Sequence, residues 1–287
     1  MPDTPRPDPD RIPRPVVGLA IELAVVGETA AHSHRKAQLL SVHKGALTVE
    51  TASGIWTVPP NCAIWLPSGM MHTAHGSGPV SVGCLYVEPG IITGLRAECG
   101  ILFVQPLLRE LLSRFIDTPH LYPEGDTREA RLVRVLLDEL QAAPEEPLHL
   151  PMPTDRRLRR MVDTLLADPS LRFTIEEWGA RVGASNRTLS RLFQRETGLS
   201  FSRWRQQMHV TLALRRLASG ESVTAIALDL GYESISAFIA MFKRLLGTTP
   251  SRYFDDIART DSKPRGTHDA VRPSGEVVTL RRPRPDR

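Results

Sequence analysis

The 287-residue chain contains no apolar run near the roughly 20 residues that a membrane helix needs. Its first residues, Met1-Pro-Asp-Thr-Pro-Arg-Pro-Asp-Pro-Asp10, hold no apolar core of the secretory kind, so no signal peptide is expected. Cysteine is scarce. Cys62, Cys84 and Cys99 form an odd set without metal-ligand spacing, which suits a reducing cytoplasm. Large net charge is also lacking: 36 basic against 32 acidic residues leave +4. That balance hides an asymmetry, with 12 basic and 17 acidic residues in 1–154, 16 and 11 in 155–258, and 8 and 4 in 259–287. An acidic front and a basic back fit a sensor joined to a polyanion-binding module, and the length accommodates two domains with proper cores.

The strongest pattern is a near-repetition. Thr174-Ile-Glu-Glu-Trp-Gly-Ala-Arg-Val182 and Val223-Thr-Ala-Ile-Ala-Leu-Asp-Leu230 are short amphipathic runs. Each stops at a glycine, Gly183 or Gly231, and each is followed by a second helical run. Helix, tight glycine turn, helix is the helix-turn-helix pattern, whose second helix enters the DNA major groove. One copy would be weak evidence; two are much stronger. In the first copy Leu189, Leu192 and Phe193 fall at core spacing against Ile175, Trp178 and Val182, while Arg187, Arg191 and Arg195 share the opposite face. Ser185 or Asn186 is the expected N-cap. In the second copy Phe238, Met241, Phe242 and Leu245 form the apolar stripe. Between the copies, Phe201–Leu217 has neither proline nor glycine and predicts a rigid rod of roughly 25 Å. Such a rod can hold two reading helices near the roughly 34 Å repeat of DNA.

These residues carry a resemblance. Thr174-Ile-Glu-Glu-Trp178, Arg191-Leu-Phe-Gln-Arg-Glu-Thr-Gly198, Leu230-Gly-Tyr-Glu-Ser234, Phe238, Phe242-Lys-Arg244 and Gly247-Thr-Thr-Pro-Ser-Arg-Tyr253 resemble the DNA-binding domain of the AraC/XylS regulators over about a hundred residues. The resemblance implies base-reading positions at Arg187, Ser190 and Arg191, and at Ile235, Ser236, Ile239 and Ala240. The whole face expected to meet DNA comprises Ser185, Asn186, Arg187, Ser190, Arg191 and Gln194, then Ser234, Ile235, Ser236, Ile239, Ala240 and Lys243. Arginine bonds guanine edges bidentately, whereas the uncharged second face offers only methyl contact or shape readout. The first helix is therefore expected to carry most of the base specificity.

The front half reads as β structure. Candidate strands are Val16–Val26, Ala37–His43, Ala46–Glu50, Ile55–Val58, Ala63–Leu66 and Val80–Val87, with a hairpin at Thr51-Ala-Ser-Gly54. Short strands so closely spaced suggest a small barrel or sandwich. His32-Ser-His34, read as strand, would place both rings on one side. Gly27, His32-x-His34, Gln38 and Gly45 approximate the first cupin motif, and Pro67-x-Gly69-x-x-His72 the core of the second. The resemblance implies a divalent transition-metal site at His32, His34, Gln38 and His72, with Gln38 replacing the usual glutamate and Gly76 a common asparagine. Histidines lining a metal-free pocket are the alternative. Trp56, Trp65 and Tyr86 are candidates to line an effector pocket.

Leu102–Ile116 and Asp126–Gln141 read as amphipathic helices that pack on the barrel, contact a second copy, or do both. Ala142–Thr154, with four prolines, reads as an interdomain linker, and Asp155–Ala167 as the opening helix of the second domain. Residues 1–14 and 259–287 read as disordered tails, the latter basic. The assignment is an α+β multidomain chain: a cupin-like sensor barrel over 15–100, a helical extension over 101–141, and an all-α double helix-turn-helix domain over 155–258. As a cytoplasmic transcriptional regulator it would bind double-stranded promoter DNA, a small effector and a second copy of itself, with RNA polymerase as a further partner and no membrane. A cupin metalloenzyme with a DNA-binding appendage and a ligand-independent architectural DNA binder remain the alternatives.

Overall fold

The computed structural model describes residues 7–23, 29–76, 78–91, 94 and 96–253. Gly27, the end of the first expected strand (24–26) and the basic tail (259–287) lie outside the described residues. Among the described residues, no helix is long and apolar enough to cross a membrane.

The front domain consists of two antiparallel sheets. One has the order β1 (Val16–Leu23), β7 (Val80–Val87), β2 (Ala37–Lys44), β5 (Cys62–Leu66), β8 (Gly100–Phe103) and β9 (Glu145–Glu146). The other runs β10 (His149–Pro151), β4 (Gly54–Val58), β3 (Leu47–Thr51) and β6 (His72–Gly76). Successive side chains of a strand leave opposite faces, and here both faces of the larger sheet are covered. Leu40, Val42, Ile64, Leu66, Val82 and Cys84 join Leu47, Val49 and Val58 of the facing sheet in one cluster. The intervening Leu39, Ala63, Trp65, Leu85 and Val87 pack against α1 (Pro106–Ile116) and α2 (Arg128–Ala142).

Three expectations need correcting here. Leu102 belongs to strand β8, and the first helix begins only at Pro106, whose fixed φ suits a helical first turn. Residues 142–154 are not a free linker: β9 extends the larger sheet and β10 the smaller. Residues 7–14 carry a short helical turn, Pro9–Arg11, fastened to the domain by Lys36. The fully buried Lys36 side chain donates from Nζ to the carbonyls of Pro9 (2.9 Å), Ile12 (2.8 Å) and Arg14 (2.9 Å). Asp10 accepts from the backbone N–H groups of Arg35 and Lys36 at 2.8 and 2.9 Å.

The back domain comprises α3 (Arg156–Ala167), α4 (Ile175–Val182), α5 (Asn186–Thr197), α6 (Phe201–Ala218), α7 (Val223–Asp229) and α8 (Ile235–Leu246). Capping chemistry sets the boundaries. Thr174 and Glu177 form a reciprocal capping box on α4, Ser185 caps α5, and Ser222 and Ser234 cap α7 and α8. Glu196, near the end of α5, accepts from the N–H groups of Thr154 and Asp155 at 2.8 Å each and ties α3 to α5. Leu150 of β10 is fully buried with Leu158, Met161, Trp178 and Trp204 in the core of the first helix-turn-helix unit. Trp204 Nε1 donates to the Pro151 carbonyl at 2.8 Å, and Gln207 Nε2 donates to that of Pro147.

Two substitutions probe these devices. Lys36→Met keeps the apolar stem but strands three carbonyls; it is expected to cost about 1–3 kcal/mol, read as a fall in the thermal midpoint. Gly231 has φ of 78°, and a Cβ there would lie 2.9 Å from the Ser170 carbonyl oxygen. Gly198 has φ of 71° with open space around it. Left-handed strain costs about 1–2 kcal/mol at either site, so denaturant melts should show Gly231→Ala losing more than Gly198→Ala.

Candidate effector cavity and nucleic-acid interface

The histidines meet although two of them lie outside any strand. His32 and His72 form an isolated bridge, with His32 N–H donating to the His72 carbonyl (3.0 Å) and His72 N–H to that of His32 (2.9 Å). The carbonyl of His34 accepts from Gly69 N–H at 2.8 Å, which pins the neighbouring loop. The loop 32–34 is thus not the strand expected from its sequence, and cross-bridging rather than strand alternation gathers the rings. Their ligand atoms lie within 4.8 Å of one another. Ring centroids are 5.0 Å apart for His32 and His34, 4.3 Å for His32 and His72, and 5.9 Å for His34 and His72.

The tautomers follow from the hydrogen bonds. Nδ1 of His32 lies 2.8 Å from the Ala30 carbonyl and Nδ1 of His72 lies 2.9 Å from that of Met70. A carbonyl only accepts, so each Nδ1 bears a proton, and in the neutral ring Nε2 then keeps the lone pair, the arrangement that orients metal-ligating imidazoles. Burial, followed by the charges of neighbouring rings, holds His34 and His72 below the ordinary imidazole pKa and favours the neutral form. Gln38 Nε2 donates to the Tyr86 hydroxyl at 2.9 Å, while Gln38 Oε1 is buried without a partner. Three imidazole nitrogens and an unsatisfied amide oxygen suit a borderline cation such as Zn, Fe, Ni or Cu.

These groups line a cavity of about 360 Å³ whose other walls include Leu19, Leu40, Leu47 and Val82. Pro7, Asp8 and Pro9 line it too, a role that the expectation of a disordered tail had missed. Of the three aromatic candidates only Tyr86 reaches the cavity. Trp65 sits one residue out of phase with Ile64 and Leu66, packs towards α1 and α2, and donates from Nε1 to the Arg96 carbonyl at 2.8 Å. Trp56 is stacked on His149 at 3.8 Å, beside the strand leading into the second domain.

On α5 the buried residues Leu189, Leu192 and Phe193 leave Arg187, Ser190, Arg191 and Gln194 on the exposed face. Several members of the expected contact face are already engaged. Ser185 Oγ accepts from Thr188 N–H and Ser234 Oγ from Ala237 N–H, both at 3.2 Å, as N-caps. Gln194 Nε2 donates to the Gly198 carbonyl at 2.9 Å. Asn186 donates to Glu176 and accepts from Ser190 Oγ at 3.1 Å. Arg187 and Arg191 have no ion-pair partner among the described residues, and both are exposed. On α8, Ile235, Ser236, Ala240 and Lys243 are exposed, but Ile239 is half-buried against the core, which withdraws part of its side chain from the reading face. Arg172 and Arg205 were not singled out in the sequence; both line a cleft between the two helix-turn-helix units, where no local spacing rule brings them together.

Residues 27–151 match the AraC-like ligand binding domain and residues 178–256 a helix-turn-helix domain. The HTH-type transcriptional regulator NimR of Escherichia coli K12 is 38% identical over 248 residues, covering 86% of this chain and 90% of that protein. RipA, an HTH-type transcriptional regulator of Corynebacterium glutamicum, is 35% identical over 103 residues, covering 36% of this chain and 31% of RipA. A crystal structure of the DNA-binding domain of AdpA with a target DNA is 30% identical, covers 42% of this chain and 99% of that chain, and has a TM-score of 0.33. With a ligand-binding front domain, a double helix-turn-helix back domain and a relative matched over most of its length, the chain belongs to the AraC family of transcriptional regulators.

Proposed function

We propose that the cavity between the two sheets is the effector site and that His32, His34 and His72, with Gln38 Oε1, hold a divalent transition-metal ion there. The observation carrying this reading is the convergence of three imidazoles, two of them bonded through Nδ1 to backbone carbonyls, beside an orphaned amide oxygen. Bound metal would supply a Lewis-acidic anchor for an oxygen- or nitrogen-bearing effector. The side chains do the rest: Tyr86 holds Gln38 in orientation, the apolar walls exclude water, and Asp8 lies at the cavity wall. The cavity serves regulation rather than turnover in this reading, because it is coupled to a complete double helix-turn-helix domain. Binding that favours one domain arrangement shifts the population competent for the operator.

On the DNA side, Arg187 and Arg191 read bases with Ser190 beside them, and α8 contributes shape and methyl contacts. The protein works in the cytoplasm on double-stranded promoter DNA, with RNA polymerase as a further partner. It does so as a homodimer. Leu107 and Val135, 53% and 46% exposed on the outer faces of α1 and α2, support that pairing, since their neighbours Leu108 and Leu136 are already buried against the sheet.

Arg187→Ala and Arg191→Ala should each cost about 1–3 kcal/mol in binding to DNA from the region flanking the gene, measured by fluorescence anisotropy, with a smaller loss on random DNA. Equal losses on both DNAs would reduce these arginines to phosphate contacts. Protein purified without added metal should contain close to one transition-metal ion per chain by mass spectrometry. Chelation, or His34→Ala, should remove the ion and change operator affinity. A chain free of metal whose DNA binding ignores chelator would turn the cavity over to purely organic effectors.

A further inference from the structure

The two helix-turn-helix units do not close on each other. A cleft of about 460 Å³ separates them, bounded by the α3–α4 loop of the first unit, the connecting helix α6, and the turn and α8 of the second. Arg172, Arg205 and Arg244 reach it from these three directions, with His209, Tyr232 and Glu233 between them. Glu233 is matched with Arg172 at 2.6 Å. Arg205 and Arg244 have no carboxylate partner among the described residues. Neither remaining group supplies a negative charge. Burial pushes the His209 pKa down to about 4 and that of Tyr232 up to about 12, so both are neutral near pH 7. The charges of Arg205, Arg244 and Arg172 all act on the Tyr232 hydroxyl, in keeping with their convergence.

His209 also fixes the shape of the cleft. Its Nε2 donates to the Pro169 carbonyl at 3.2 Å, which leaves Nδ1 to accept from the Tyr232 hydroxyl at 3.0 Å. One ring on α6 thereby joins the loop of the first unit to the turn of the second. Around α8, the buried stripe of Phe238, Met241, Phe242 and Leu245 leaves Ser236, Ala240 and Lys243 opposite, and Arg244 flanks that face on the side of the cleft. Two reading helices in successive major grooves straddle a stretch of sugar–phosphate backbone.

From this arrangement we propose that the cleft is a phosphate site in which Arg205 and Arg244 take backbone oxygens of the DNA between the two reading helices. The site provides anchorage where the reading face of α8 carries only Lys243 as a charge. The proposal rests on the DNA-binding reading above. A free phosphate ion presents the same chemistry to the cleft, so the experiment separates the two sources.

The full-length chain is compared with Arg205→Gln, Arg244→Gln and the double variant, with Arg205→Lys and Arg244→Lys keeping the charge and Arg187→Ala as a base-reading reference. Affinity is measured from low to physiological salt on flanking-region DNA and on random DNA of the same length. Each glutamine variant should lower the slope of log affinity against log salt by about one, and the double variant by about two. Both DNAs should weaken by the same factor, and the lysine variants should retain most of the slope. Thermal melts establish that each variant is folded. A folded double variant with unchanged affinity and slope overturns the proposal. So does inorganic phosphate raising the melting temperature of the native chain, but not of the double variant, while DNA binding is the same in both. Should Arg187→Ala also leave DNA binding untouched, the base-reading assignment fails separately.

Discussion

Backbone pairing of residues 145–151 holds this molecule together. β9 closes the edge of the larger sheet on β8 and β10 closes the edge of the smaller on β4, so one short strap satisfies open hydrogen-bonding edges on both sheets. The same strap then passes Leu150 into the core of the first helix-turn-helix unit and offers the carbonyls of Pro147 and Pro151 to Gln207 and Trp204 of α6. The domain junction is therefore a packed apolar contact with directional hydrogen bonds, quite unlike a flexible tether. A DNA-binding domain anchored in this way takes its orientation from the sheet.

That junction was hidden in the sequence for a physical reason. Prolines 144, 147, 151 and 153 punctuate the segment, and proline normally argues against a strand. Edge strands are the exception, because one side of the backbone has no ladder bond to lose, and β10 ends on Pro151 itself. The helix-turn-helix units were far more legible. Their apolar spacing, threonine and serine caps and left-handed glycines all act locally, and each appears in the sequence at a fixed offset. The cavity stood between these cases. His32, His34, Gln38 and His72 could be picked out by motif, whereas Trp65 could not be told from a cavity residue. Both faces of β5 are buried, so hydrophobicity does not alternate and the sequence conceals which side faces the cavity. Arg205 and Arg172 lie 33 residues apart and meet only once α6 has packed between the units.

The cavity and the junction share the smaller sheet. His72 pairs with Thr51 across β6 and β3, Thr51 with Gly54 across the hairpin, and Gly54 with Pro151 across β4 and β10. One rung, about 14 Å wide at the usual strand spacing, thus runs from a cavity histidine to the residue whose carbonyl receives Trp204. Trp56 reinforces it, donating to Thr51 Oγ1 at 3.2 Å while stacked on His149 of β10. The connection from His72 to α6 therefore runs through backbone pairing and involves no long chain of side chains.

Charge completes the division of labour. The front half carries an excess of acidic residues and the helical back half an excess of basic ones. Many arginines of the back half are nevertheless occupied: Arg157 on Asp155, Arg159 on Asp163, Arg172 on Glu233, Arg195 on Glu196, and Arg216 on both Glu221 and Asp229. Exposed pairs of this kind add little to stability. Each nevertheless neutralises an arginine that would otherwise attract any polyanion. The residues left without an ion-pair partner among those described include Arg187 and Arg191 on the α5 face and Arg205 and Arg244 in the interunit cleft, together with Arg156 and Arg160 of α3, Arg203 of α6 and Lys243 of α8. Net charge alone would make the domain a general DNA binder. In the reading proposed above, pairing trims the general attraction for polyanions, and the directions of the unpaired guanidinium groups on α5 and in the cleft, more than their number, would set the register on DNA.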